Sequence, residues 1–250
     1  DVLLGTVNTA LLLTSSAAVA LAVACEKDAD QRRWTARLLV LTAATLAHPE
    51  LDEKQESGTG KLGMWVFLAS EVLFFGGLFV AYLYGRTHFP AGWAEGSRRT
   101  DVVLGTVNTA VLLTSSACVA LAVACEEDER QRRWTARLLS LTAALGVVFL
   151  VIKGLEWHDE WREHLMPGTD FELRIAGAQQ FFALYFLTTG LHGVHMICGI
   201  VALCILARGR SRGRAWAGAG ELEVAALYWH FVDIVWIFLY PLLYLMDRHG

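Results

Sequence analysis

Five apolar runs follow one another from residue 62 to the end of the chain, and each is long enough to cross a lipid bilayer. A helix rises about 1.5 Å per residue, so about 20 apolar residues span the hydrocarbon core. The charged residues fall between the runs. The predicted spans are Leu62–Gly85, Val102–Cys125, Ala136–Trp157, Ala176–Ala207 and Leu222–Met246. The sequence therefore predicts an all-α, polytopic transmembrane helix bundle.

The composition supports this fold class. Of 250 residues, 55% are hydrophobic and only 18% are charged, with a mean hydropathy of +0.42. These values are too apolar for an ordinary soluble domain of this length. The net charge of -4 argues against a nucleic-acid-binding protein. The five cysteines lie in or at the ends of apolar runs, where a thiol behaves as a small hydrophobic side chain.

An internal repeat occupies the N-terminal part of the chain. Residues 1–44 are identical to residues 101–144 at 37 of 44 positions, and we treat residues 1–47 as a duplicate of 101–147. A recent duplication and an artefact of sequence assembly both explain this identity. Val2–Cys25 would be about one extra spanning helix, whereas Thr35–Ala47 is too short to cross. Residues 48–61 form a polar cytoplasmic tail or linker, and 62–250 form the five-helix domain.

Lys and Arg residues are unevenly divided between the two sides of the predicted helices. The side that contains the segment before Leu62 carries ten, and the opposite side carries six. Cytoplasmic loops of membrane proteins are usually the richer in Lys and Arg. The count therefore predicts that the N-terminal side of the five-helix domain is cytoplasmic and that the C-terminus is outside.

Glu71 lies in the middle of the first predicted span, with apolar residues on both sides. An ionisable group inside a membrane helix is costly and marks a functional site by default. Three interpretations are open. In the first, the carboxyl group hydrogen-bonds a neighbouring helix or faces a lipid cleft. In the second, it takes part in a proton relay. In the third, it binds a lipid head group or a chain of water molecules.

Three histidines and an aspartate lie in the last two predicted spans. His192 and His195 are three residues apart and share a helix face, as do His230 and Asp233. Neutral imidazoles bind metals and haem, so haem ligation is one interpretation. Hydrogen bonding between helices is the other, and the glycines around His192 and His195 favour close packing. Asp233 needs a partner inside the membrane, and we expect His230 to be that partner.

Glu156 ends the third predicted span together with Trp157 and His158. Trp and His are common at membrane interfaces, so an interfacial belt at the outer surface is the simplest interpretation. The sequence contains no nucleotide-binding loop, nucleophile elbow, CxxC pair or HExxH zinc motif. Catalysis by this chain alone and a metal site are therefore not expected.

Several segments together resemble subunit III of the haem–copper cytochrome c oxidases. The matching segments, in order and spacing, are SEVLFF at 70–75, VNTAVLLTSS at 107–116, TGLHGVH at 189–195 and YWHFVDIVW at 228–236. The resemblance covers about residues 61–247. It is closest to the short bacterial form, which has five helices where the larger form has seven. The repeated N-terminal piece resembles the NTAVLLTSS helix and not the first helix pair of the larger form.

The resemblance implies a subunit without a redox centre, in a bacterial plasma membrane, beside subunits I and II of a proton-pumping complex. Haem and copper would lie in those partners, and this chain would bind structural phospholipids and no nucleic acid. Glu71 matches the family's carbodiimide-reactive carboxylate, and Trp65, His195 and His230 fall in segments that line the lipid cleft or the bundle. A quinol oxidase or nitric oxide reductase companion, a haem-binding cytochrome and a transporter are the alternatives.

Overall fold

The computed structural model describes residues 53–127, 132–169, 171–214 and 217–246, with side chains from residue 61 onward. Residues 60–250 form a compact unit. The predicted extra helix at Val2–Cys25 and the short segment Thr35–Ala47 lie outside the described residues. The helices are α1 (Glu53–His88), α2 (Pro90–Arg99), α3 (Val102–Glu127), α4 (Arg132–Arg162), α5 (Ala178–Ser211) and α6 (Ala219–Tyr240), and a π-helical turn follows at Pro241–Leu245.

The predicted helical membrane fold is confirmed. Within the described ranges, five helices are long and apolar enough to cross a membrane, and each covers one of the five predicted apolar runs except for one or two end residues, Ala176 and Gly177 before α5 and Met246 at the last span. Several helices run past the predicted boundaries. The first helix begins at Glu53, inside the predicted tail or linker, and α4 continues to Arg162. The short helix α2 was not predicted, because its sequence is polar and contains two glycines.

The last spanning helix lies at the centre of the bundle. About 61% of the most apolar stretch of α6 is buried inside the protein, against 28–33% for the other four spans. Its buried residues occur on several sides of the helix, as expected for a helix that is surrounded by others. The other spans expose most of their apolar surface, which lipid would cover.

Trp229 joins α6 to three other helices and is fully buried. Its indole Nε1 donates a hydrogen bond to Ser115 Oγ of α3, over 3.1 Å. Its ring lies against Gly146 of α4 and Gly199 of α5, and a Cβ atom at either glycine would come within 3.0 Å of the ring. The two glycines therefore create the space that the Trp229 indole fills.

The first helix packs against α5 and α6 through aromatic side chains. Phe67 contacts Tyr228, Phe75 contacts His195, and Phe79 lies against Phe238. Gly76 and Gly77 in the middle of α1 have no atom within 4 Å of where a Cβ would lie, among the neighbours that the structure describes. Long rings rather than close backbone contact therefore hold α1 in place.

The two ends of the bundle are closed by polar contacts. At the end that contains α2, Ser97 donates to the Met246 carbonyl over 2.8 Å, and Tyr82 donates to the Leu242 carbonyl. At the opposite end, Glu126 of α3 pairs with Arg210 of α5 and with Arg132 of α4. The charged groups thus lie near the ends of the spans, where water or head groups can reach them.

Substitution of Gly146 tests the packing around Trp229. Gly146→Ala should lower the free energy of unfolding by about 1–3 kcal/mol, because the added methyl group overpacks a fully buried ring. Gly154→Ala on the same helix is the matched control, since its Cβ would meet no described atom within 4 Å. Thermal unfolding midpoints in detergent measure both. Equal midpoints for the two variants would contradict the packing argument.

Candidate functional site

Glu71 of α1 and His195 of α5 form a polar pair in the middle of the bundle. Glu71 Oε2 lies 3.3 Å from His195 Nε2, and the carboxyl group is almost fully buried. His195 Nδ1 is 2.9 Å from the Leu191 carbonyl oxygen, one turn earlier on the same helix. Tyr228 of α6 donates to the His195 carbonyl over 3.0 Å. Three helices therefore fix the position of this pair.

The hydrogen-bonding partners determine how many protons the pair holds. A backbone carbonyl only accepts, so Nδ1 of His195 carries a hydrogen. The contact between Nε2 and Glu71 then contains one proton, held either by the carboxyl or by the imidazole. Both arrangements have zero net charge. The pair can therefore move one proton between its two members without creating a net charge in the membrane.

His192 and His195 differ in their surroundings although they share a helix. The His192 ring is buried between Phe149 and Trp236, at centroid distances of 5.5 and 5.3 Å. Neither of its nitrogens has a hydrogen-bond partner among the described residues. Sequence spacing alone does not reveal this difference, because it depends on which neighbours each ring meets.

The expected pair of His230 and Asp233 does not form. His230 Nδ1 lies 2.7 Å from Ser116 Oγ of α3, so the imidazole is hydrogen-bonded to another helix. Asp233 is buried close to the same serine, but neither carboxylate oxygen makes a hydrogen bond of normal geometry within the described part of the chain. His230 hydrogen-bonds Ser116 of α3 and not Asp233 of its own helix, because α3 packs directly against α6.

A second polar cluster lies inside the bundle, near the end where α4 terminates. Lys153 Nζ donates to Glu156 Oε2 over 3.1 Å, to Tyr185 over 2.7 Å and to Tyr244. The two tyrosine hydroxyls also donate to Glu156 Oε1, over 3.0 and 2.7 Å. The cation and both carboxylate oxygens are therefore fully paired, as a buried ion pair requires.

This cluster corrects the interpretation of Glu156. The carboxyl was expected in an interfacial belt, but it is 3% exposed, and α4 continues past it for more than one turn. Sequence reasoning missed Lys153, Tyr185 and Tyr244. A usable signal was present, since Lys153 is a charged residue inside an apolar run, three residues before Glu156. The two tyrosines come from distant segments and carry no such signal.

An apolar groove of about 630 Å³ runs between α4 and α5. Its walls include Ala143, Val147 and Ile200, and Arg137 and Arg208 lie among its polar lining residues. Ala136 and Ala207 adjoin those arginines in the sequence, so both guanidiniums belong to the end of the groove where α4 begins and α5 ends. Such a groove combines an apolar channel with two cations.

The remaining predicted residue, Trp65, lies on the outer face of α1 and is 59% exposed. In the residues with described positions, no group of three or more His, Cys, Asp or Glu side chains is arranged to hold a metal ion. The predicted site residues therefore occupy four places: the Glu71–His195 pair, the contact of His230 with Ser116 beside Asp233, the Lys153–Glu156 cluster, and the outer face of α1, where Trp65 lies.

Comparison with known proteins gives the family. The family model described as cytochrome c oxidase subunit III matches residues 47–248, which include every described helix of the bundle. The chain belongs to the cytochrome c oxidase subunit III family. The match begins at residue 47, where the duplicated segment ends.

Individual members of the subunit III family resemble the chain over most of its length. It is 34% identical to the cytochrome c oxidase subunit 3 of Thermostichus vulcanus, over 75% of this chain and 87% of that protein. It is 30% identical to a probable quinol oxidase subunit 3 of Staphylococcus saprophyticus, over 78% and 94%. It is also 34% identical to the haem–copper oxidase subunit I+III of Aeropyrum pernix, over 73% of this chain but only 22% of that longer protein.

Removal of Lys153 tests the buried cluster. Lys153→Met should lower the free energy of unfolding by about 3–5 kcal/mol, because it leaves the Glu156 carboxylate buried without its cation. Lys61→Met is the control, since Lys61 pairs with Glu223 at an exposed site and should cost about 0–1 kcal/mol. Denaturant titration in detergent measures both. A cost for Lys153→Met as small as the control's would show that the cluster does not stabilise the fold.

Labelling of Glu71 tests its protonation. A hydrophobic carbodiimide reacts with a protonated carboxyl group, so the buried Glu71, which shares one proton with His195, should be labelled from the membrane phase. Glu71→Gln should abolish this labelling and leave the fold intact, because the amide can still donate to His195 Nε2. Glu223→Gln, at an exposed site, should leave it unchanged. Persistent labelling of the Glu71→Gln protein, measured by peptide mass spectrometry, would place the reactive carboxyl elsewhere.

Proposed function

We propose that the chain is the non-catalytic subunit III of a haem–copper terminal oxidase that supports aerobic electron transport. It packs beside subunits I and II, holds phospholipid and keeps proton uptake by the catalytic subunit stable. The single observation that carries the proposal is the family match over residues 47–248, which contain the Glu71–His195 pair. The fused I+III relative supports a subunit I partner, since one polypeptide combines the two there.

Cytochrome c is the proposed electron donor of the complex, because relatives named cytochrome c oxidase subunit 3 cover most of this chain. A quinol oxidase is the second candidate, favoured by relatives named probable quinol oxidase subunit 3 over a similar share of the chain. The donor site would lie in a partner subunit in either case. Haem and copper are likewise proposed to lie in the partners.

The three histidines of α5 and α6 give little support to a haem bound by those helices. Both ring nitrogens of His195 are engaged, one by Glu71 and the other by Leu191. His230 uses Nδ1 to contact Ser116. His192 is enclosed by aromatic rings, so an iron ion would need space that Phe149 and Trp236 occupy. These contacts favour the role of the histidines in joining helices.

The groove between α4 and α5 supports the binding of phospholipid. An acyl chain would fill the apolar channel, and the phosphate would lie between Arg137 and Arg208. Guanidinium groups form bidentate hydrogen bonds with phosphate, and lipids on an anionic membrane surface are attracted by basic clusters. Ser140 and Ser211 also line the groove and could contribute hydroxyl groups.

The chain is proposed to lie in a bacterial plasma membrane with the Arg137 and Arg208 end in the cytoplasm. The excess of Lys and Arg on that side supports the orientation. The Lys153–Glu156 cluster and the C-terminus would then be near the outer surface. Protease cleavage between Arg208 and Arg214 from outside intact cells would overturn this orientation.

Purification of the tagged chain from its native membrane tests the function. We expect a haem–copper catalytic subunit to co-elute, with its haem visible in the optical spectrum, and phospholipid to remain in the lipid extract. Arg137→Gln with Arg208→Gln should lower the bound phospholipid without loss of haem. Elution of the chain alone, coloured by haem, would refute the proposal and favour a membrane cytochrome. The identity of the co-eluting subunit separates cytochrome c, quinol and nitric oxide chemistry.

A further inference from the structure

A polar pocket of about 590 Å³ lies where α3 begins and α4 ends. It is separate from the Glu71–His195 pair and from the groove between α4 and α5. Five carboxyl groups and two guanidinium groups line it. The pocket therefore has more acidic than basic groups. Whether it can bind a cation depends on which of the carboxyl groups are already paired.

Glu160 is the unusual member of this lining. Its side chain is 95% buried, since only 5% of the residue is exposed, and neither carboxylate oxygen has a hydrogen bond of normal geometry among the described residues. Tyr185 lies close to it, but the tyrosine hydroxyl donates to Glu156. A buried carboxyl group without a hydrogen-bond donor is costly, so a cation or a donor that enters the pocket and reaches Glu160 would stabilise it.

The other charged groups near the pocket are already engaged or remain in water. Lys153 and Glu156 pair with each other, and Asp101 accepts hydrogen bonds from the first backbone N–H groups of α3. The exposed Arg99 pairs with the half-buried Glu95 over 3.3 Å. None of these pairs supplies a donor to Glu160.

The pocket is better suited to a long basic side chain than to a bare metal ion. Within the described residues, no three carboxyl, imidazole or thiol groups converge as metal ligands. The cavity is also far larger than a dehydrated ion needs. A guanidinium or ammonium group on a flexible stem could pass the exposed carboxylates of Asp159 and Glu163 and reach Glu160. Charge-assisted hydrogen bonds of this kind are strong when desolvated.

We infer that this pocket receives an arginine or lysine side chain from a partner subunit, with Glu160 as its buried counter-ion. The inference rests on the proposed function, because it requires a complex in which such a partner is present. Docking would give the Glu160 carboxyl group a partner and fix the partner subunit at the end of the bundle that contains α2. The affinity of the complex would then depend on Glu160, whose carboxyl group has no hydrogen-bond partner among the described residues of the chain alone.

Glu160→Gln in the whole complex tests the inference. Dissociation of the catalytic subunit from the tagged chain during a salt wash should become about tenfold faster or more, because the buried cation loses its counter-ion. The unfolding midpoint of the chain itself should stay unchanged or rise, since an amide replaces a buried carboxyl group that has no hydrogen-bond partner among the described residues. Glu172→Gln, exposed at the same end and outside the pocket, should alter neither quantity.

Other occupants give different results. Equal dissociation of the wild-type and Glu160→Gln complexes overturns the inference and leaves the proposed function intact. Faster dissociation of the wild type after chelation by EDTA points to a metal ion, and the same effect from Arg162→Gln points to a cation of this chain. Either result would overturn the inference that a side chain of a partner subunit occupies the pocket. If no oxidase subunit elutes with the wild-type chain, both the proposed function and the inference fail.

Discussion

The packing of Trp229 is the interaction on which the bundle depends. Its ring occupies the space that two glycines leave on α4 and α5, and its indole nitrogen is hydrogen-bonded to α3. In a membrane the hydrophobic effect does not drive helices together, because lipid tails are as apolar as the side chains. Close packing and hydrogen bonds must do so. Trp229 supplies both at the point where four helices meet.

A second constraint applies to polar groups inside the bundle. Each needs a hydrogen-bond or ion-pair partner within the protein, because lipid offers none. The Lys153–Glu156 cluster meets it with two tyrosines, and the Glu71–His195 pair meets it with one shared proton. Asp233 and Glu160 do not meet it within the described residues. A complete cluster stabilises a fold, whereas an incomplete one indicates where something else is bound or where the environment changes.

The sequence was sufficient to predict the five spanning helices, because their length follows from the thickness of the bilayer. It was also sufficient to select Glu71 and His195, since ionisable residues in apolar runs are conspicuous. It did not reveal that they pair, because periodicity describes one helix and the pair joins two. The Lys153 cluster was missed for the same reason, as its tyrosines come from α5 and from the turn after α6. For His230 the sequence predicted a wrong partner. Asp233 is its neighbour on the same helix, but the imidazole hydrogen-bonds Ser116 of α3.

The Glu71–His195 pair also has a consequence for biosynthesis. The two residues are 124 positions apart in the chain, and at about 5–20 residues per second the ribosome needs about 6–25 s to synthesise the segment between them. The carboxyl group on α1 therefore leaves the ribosome well before its imidazole partner on α5 has been made. Insertion of the first helix must tolerate a lone glutamic acid in the bilayer or keep it beside the aqueous channel of the translocon. The pairing of Glu71 is then timed by the arrival of α5.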